Sequence, residues 1–140
     1  MMKFSTLILI SLLFIFSACG TSNIDNHLTS DDVILKNAFD NEENNIQVHG
    51  NGKVIRLLPD DTDGIKHQRF IIQLASKQTL LISHNIDIST KIDILSLNDL
   101  VEFYGEYIWN SEGGLVHWTH HDPENIHIDG YLKHKDVTYD

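Results

Sequence analysis

The sequence has a single cysteine, half as many basic as acidic residues, and no apolar run long enough to cross a bilayer. One thiol permits no internal disulfide, so stability must come from a packed core. Ten Lys and Arg against 20 Asp and Glu give a formal net charge of −10. That balance argues against a sequence-independent grip on DNA or RNA, which needs clustered cations to neutralise phosphate. It argues equally against a polybasic membrane-surface module. No internal repeat and no low-complexity tract is present. What remains is ordinary globular material: 41% of residues are hydrophobic and 21% charged, too apolar for a disordered acidic tail. The 140 residues suit one domain.

The first 18 residues read as a signal peptide. Lys3 supplies a positive start, and residues 4–16 are apolar apart from Ser5, Thr6 and Ser11. A transmembrane helix needs about 20 such residues, whereas this length fits a secretory core. The run ends in Phe16-Ser17-Ala18-Cys19-Gly20. Small residues before a lone cysteine resemble the bacterial lipoprotein signal, in which cleavage before Cys19 leaves its thiol to carry the lipid. Phe16 stands where that signal usually has Leu. Gly20, with no Asp after the cysteine, resembles the pattern sorted to the outer membrane in a Gram-negative host. The expectation is an exported, membrane-anchored lipoprotein: signal peptide 1–18, tether 19–30, folded domain 31–140.

Ser30-Asp31-Asp32 marks a short helix with acids in its first turn, ended by the polar residues 41–45. Beyond it the chain reads as five strands, at 46–58, 67–74, 78–86, 100–109 and 115–121. Gly50 and Gly52 suit a long, bent first strand. The Asp-rich segment 59–64 reads as a solvated turn. The connection 89–98 is the longest between strands, with room for one helical turn. Three strands, a crossing connection and two more strands is the order of a small five-stranded OB-like barrel, so the expected fold class is all-β with a short N-terminal helix. Trp109, Trp118, Tyr104 and Tyr107 are expected in core and edge packing.

Histidine is the unusual residue: there are 9, and His117, His120, His121, His127 and His134 crowd the C-terminal end. If the last strand continues to His121, alternation puts His117 and His121 on one face about 7 Å apart. Asp122 adjoins them as a ligand or as a partner that fixes an imidazole tautomer. His67-Gln68-Arg69-Phe70 and His84-Asn85-Ile86-Asp87 break apolar strands with polar groups, and these two segments are expected to face each other across a hairpin. Neutral imidazole suits a divalent metal such as Zn, although no tight metal spacing such as HExxH is present.

Glu102-Phe103-Tyr104-Gly105-Glu106-Tyr107, the HQRF and HNID strings and His117-Trp118-Thr119-His120-His121-Asp122-Pro123, with Gly52-Lys53-Val54 upstream, resemble domain-of-unknown-function family 3465, a group of small exported bacterial proteins. The resemblance runs from Gly50 to the C-terminus, with Tyr131 where the family more often has Trp. It implies an exported OB-like domain and no particular substrate. Two functions fit the residues. One is a non-enzymatic binding domain for a small ligand, a glycan or an envelope protein partner. The other is a metal-dependent hydrolase of phosphodiesterase type, or a metal-binding protein without catalysis. Its metal would be held by His117, His121, Asp122 and His84, with His67 or His120 as general base and Arg69 on the anion. Convergence of three such side chains within roughly 4 Å of one point would favour metal.

Overall fold

The computed structural model describes residues 28–140. The expected signal peptide, Cys19 and most of the tether lie outside the described residues. Helix α1 (Ser30–Asp40) opens on a capping box one residue before the expected start. The Thr29 hydroxyl accepts from the Asp32 N–H at 3.2 Å, and the Asp32 carboxylate accepts from the Thr29 N–H at 3.1 Å. Both satisfy donors that a helix start leaves orphaned. Leu35 and Ala38 give α1 its buried face against the strands.

Five strands form the barrel: β1 (Asn44–Leu57), β2 (His67–Gln73), β3 (Thr79–Asn85), β4 (Leu100–Ile108) and β5 (Leu115–His117). In β2, β3 and β4 buried and half-buried residues alternate strictly. This period of two sends Phe70, Ile72, Leu80, Ile82, Val101, Phe103 and Tyr107 into one core. β1 is long because it serves two partners, pairing with β4 over Asn44–Lys53 and with β2 over Lys53–Leu57. Gly50 allows the close approach there, since a Cβ would lie 2.7 Å from the Phe103 ring. β3 runs parallel to β5, and β5 antiparallel to β4. The ring β1-β2-β3-β5-β4 closes back on β1. This is the expected OB-like barrel.

Three local expectations are corrected. The connection 86–99 contains turns but no helix. It plugs the barrel with Ile92 and Leu95 instead, held by Gln68, whose side chain bonds both the N–H and the carbonyl of Ile92 at 2.9 Å. The last expected strand stops at His117 rather than His121, because Trp118 adopts φ 50° and ends the pleat. Two further strands, β6 (Tyr131–His134) and β7 (Val137–Tyr139), then form a hairpin. β6 pairs with Val101–Tyr104 of β4 while β5 pairs with Glu106–Ile108, so the two lie end to end in one lane. Residues 118–130 loop out between them. The neck of that loop is closed by the Gly130 N–H, which donates to the His120 carbonyl at 2.9 Å.

His49 ties helix to barrel, with Nδ1 2.8 Å from the Asp31 carboxylate and Nε2 3.3 Å from Glu102. The Tyr131 hydroxyl donates to the same Glu102 at 2.8 Å, which brings β6 into the network.

Candidate functional site

Alternation that buries Gln68, His84 and Val116 turns their neighbours outward: His67 and Arg69 on β2, Ser83 and Asn85 on β3, His117 on β5. The hairpin register sets His67 opposite Asn85 and Gln68 opposite His84, so the two polar strings face each other as expected. The 118–130 loop stands beside this outer face. Between them lies a cavity of about 230 Å³ lined by His67, Ser83, Asn85, His117, Trp118 and His120, with Ile65 from the β1–β2 turn at its mouth.

Each imidazole there has a distinct state. His84 is fully buried behind the cleft, where Nε2–H donates to the Thr90 carbonyl at 3.2 Å and Nδ1 accepts from the Thr119 hydroxyl at 2.9 Å. Burial pushes its pKa down to about 4, so it is neutral and structural near pH 7. His117 donates through Nε2–H to Glu106 at 3.2 Å. Burial lowers its pKa more than the Glu106 carboxylate raises it, which leaves a neutral ring with a lone pair on Nδ1. His120 is 2% exposed and donates through Nδ1–H to the His121 carbonyl at 2.8 Å. Its Nε2 has no partner among the described residues, yet it is not one of the buried unpaired atoms, which are Gln47 Nε2, Gln78 Oε1 and His134 Nδ1. The free nitrogen of His120 therefore reaches the open cleft. His67 has no side-chain hydrogen bond among the described residues.

The structure gathers His67, His117 and His120 but does not bring together the expected metal set. His84 is committed inward, and His121 is exposed with Nδ1 3.0 Å from Asp129. Asp122 accepts from three backbone N–H groups, of Glu124, Ile126 and His127, at 2.7–3.0 Å. Those bonds, that of His127 foremost, hold its carboxyl below the usual range, and they make it the organiser of the loop. The shared face of His117 and His121 is lost where β5 ends. Among the described residues no three His, Cys, Asp or Glu side chains form a metal-holding group. Arg69 turns away from the cleft, with Nε and Nη2 each 3.2 Å from the Pro59 carbonyl and Nη1 3.8 Å from Asp61.

Trp118 was expected in packing, and it does stack on His127 at 3.7 Å between centroids. It also walls the cleft, as do Asn85 of the HNID string and Ser83 and Ile65, two residues not singled out from the sequence. For Ser83 and Asn85 a signal existed, since a strand that buries His84 must expose both. A larger groove of about 350 Å³ lies between α1 and the β2–β3 turn. Several of its polar groups are paired within the protein: Lys36 with Asp40, the Gln78 amide nitrogen with the Gly113 carbonyl, and Thr79 with the Glu112 carbonyl, while Gln78 Oε1 has no partner among the described residues.

Fold and site together define a closed OB-type barrel with a histidine-lined cleft set between its β2–β3–β5 face and a looped-out segment of the fifth lane. The chain belongs to the family described as "Protein of unknown function (DUF3465)", which matches residues 17–140. That agrees with the resemblance carried by the HQRF, HNID and HWTHHDP strings. No curated protein matches the chain.

Proposed function

We propose that this protein is an exported, lipid-anchored envelope protein that binds a small molecule in the cleft, without turning it over. The observation that carries the reading is His120: nearly buried, fixed through Nδ1–H, and bare at a nitrogen open to a cavity of about 230 Å³. A ring held at one nitrogen and free at the other has its direction set and a polar atom to spare, which is what recognition requires. Catalysis is less well supported. The Thr119 and Ser89 hydroxyls both sit on His84, which is buried behind the cleft, and Ser83 bonds no imidazole, so among the described residues no hydroxyl lining the cleft is held against a base. Among the described residues neither Lys nor Arg lines the cleft, which with the net charge of −10 argues against a nucleic-acid ligand. The apolar run 4–16 and the Cys19 context support export and anchoring.

Two experiments test this. The chain from Gly20 onward, exported behind a leader without a lipidation site, is screened by thermal shift against sugars, amino acids, amines and carboxylates. At least one class raises the melting temperature of the native protein and fails to raise that of His120→Ala. Silence across the panel, or an equal rise in the variant, overturns the binding site. Separately, lipid labelling of the full chain in a bacterial host is abolished by Cys19→Ser, and labelling that survives overturns the anchor.

A further inference from the structure

The cleft does not end at Trp118. A second cavity of about 310 Å³ adjoins it and shares Ile65, Asn85 and Trp118 with the first. Its own walls are Ile88, Pro123 and Ile126, with Asp122, Glu124 and His127 among them. Ile65, Ile88 and Ile126 are 60%, 50% and 73% exposed, an unusual density of uncovered isoleucine for three separate loops converging on one hollow. The combined groove therefore has uncharged polar and imidazole walls at one end, and exposed isoleucines edged by two carboxylates at the other.

The polar end has a definite sense. His117 spends its N–H on Glu106 and His120 spends its N–H on a backbone carbonyl. His117 is thus left with a lone pair on Nδ1, and His120 with an unbonded Nε2, for the ligand. Among the described residues the charged side chains lining the two cavities are the carboxylates Asp122 and Glu124, both in the second cavity, with no Lys or Arg in either. Trp118 adds an aromatic surface that favours cations. An anion would meet lone pairs and carboxylates, whereas an ammonium group brings the donors and the charge that these walls lack.

We infer that the groove takes a small organic amine, its ammonium group among His117, His120 and Trp118 and its apolar body over Ile65, Ile88 and Ile126. The inference rests on the cleft being a binding site and adds the class of ligand. Four probes of matched chain or head separate its parts at pH 8, where an alkyl amine is still charged: hexylammonium, hexanoate, 1-hexanol and methylammonium. Binding is read by NMR from the imidazole C–H signals of His117 and His120. Hexylammonium moves both signals and binds roughly tenfold or more tighter than hexanoate or hexanol. Methylammonium moves the same signals at higher concentration. Ile88→Ser/Ile126→Ser, altered only at exposed positions, weakens hexylammonium and leaves methylammonium unchanged. Hexanoate or hexanol binding as tightly as hexylammonium at these imidazoles overturns the amine and leaves the binding cleft standing. Hexylammonium that binds without moving the imidazole signals overturns the placement. If all four probes and the broader panel leave these signals still, the cleft reading falls with the inference.

Discussion

His84 is the bolt between the barrel and the loop, and acid should draw it. Its ring bridges the β3–β4 connection, through the Thr90 carbonyl and Ser89, to Thr119 at the start of the excursion. Protonation would place a charge in a fully buried site close to the imidazoles of His120 and His67, and burial is the largest reason that its pKa falls to about 4. In the unfolded chain the same ring titrates near 6.5. Between those values the unfolded state binds the extra proton, so stability is complete above pH 6.5 and drains away as the pH falls toward 4. A gap of that size is worth about 3 kcal/mol, a large share of the 5–15 kcal/mol typical of a domain. Urea unfolding from pH 8 to pH 4, followed by tryptophan fluorescence, compares the native protein with His84→Gln. The variant starts less stable, having lost a buried network, but its curve is flatter, and the two converge by about 3 kcal/mol at the acid end. The titration of His84 in the native protein by imidazole NMR gives an independent midpoint near 4. Parallel stability curves, or an NMR midpoint near 6.5, would refute the claim that His84 is locked in its neutral form.

Further predictions concern the loop neck, its organiser, the helix cap and a second histidine. Gly130→Ala brings a Cβ to 2.0 Å from the Trp118 carbonyl and 2.5 Å from that of Tyr104; backbone has to move, at a cost of about 3 kcal/mol by urea unfolding, and a native-like midpoint would show that the neck is loose. Asp122→Ala strips three backbone donors of their acceptor, so amide exchange at Glu124, Ile126 and His127 accelerates while β2 and β3 stay protected; unchanged exchange would remove Asp122 as the organiser. Thr29→Ala breaks the capping box and lowers stability by about 1 kcal/mol, against no change if α1 is held by packing alone. At His49 burial lowers the pKa, but the Asp31 and Glu102 carboxylates raise it further, so it ends above its ordinary value. Its contribution is present below pH 6.5 and fades as pH rises through the folded-state value, so His49→Gln should remove a loss of stability on the alkaline side.

The barrel was legible because its strands carry local information. Alternation placed β2, β3 and β4 within about a residue, and the glycines of β1 announced a bend that the two-partner pairing then used. The end of β5 was not legible. Val116-His117-Trp118-Thr119-His120 alternates as a strand does, and tryptophan and threonine favour strands. What stops it is remote, for β6 arrives to take the other half of the same lane on β4, and Gly105 and Gly130 let backbone crowd there. Everything inferred from the face shared by His117 and His121 failed with that ending. The β6–β7 hairpin gave no warning either, because its turn residues Lys135 and Asp136 take positive φ with no glycine between the strands. Beside the histidines Asp122 reads as a ligand or as a partner fixing an imidazole tautomer, but Asp-Pro-Glu-Asn equally announces a turn whose first carboxylate accepts backbone N–H groups. His67 and His120, considered for acid–base work, were the better guides to the cleft.

Because the two ends of residues 118–130 already touch, the barrel does not depend on how far the chain travels between them. Ring closure grows only slowly more costly with length, by about 0.6 kcal/mol for each doubling. Insertions, deletions and wholesale replacement of the intervening residues are therefore affordable, so long as the glycine at the neck and the Thr119 hydroxyl facing His84 are kept. The protein thus has an evolvable segment mounted on a conservative frame. The same property makes the loop a practical graft site: a library of sequences between Thr119 and Gly130 would vary the surface beside the cleft without repacking the core.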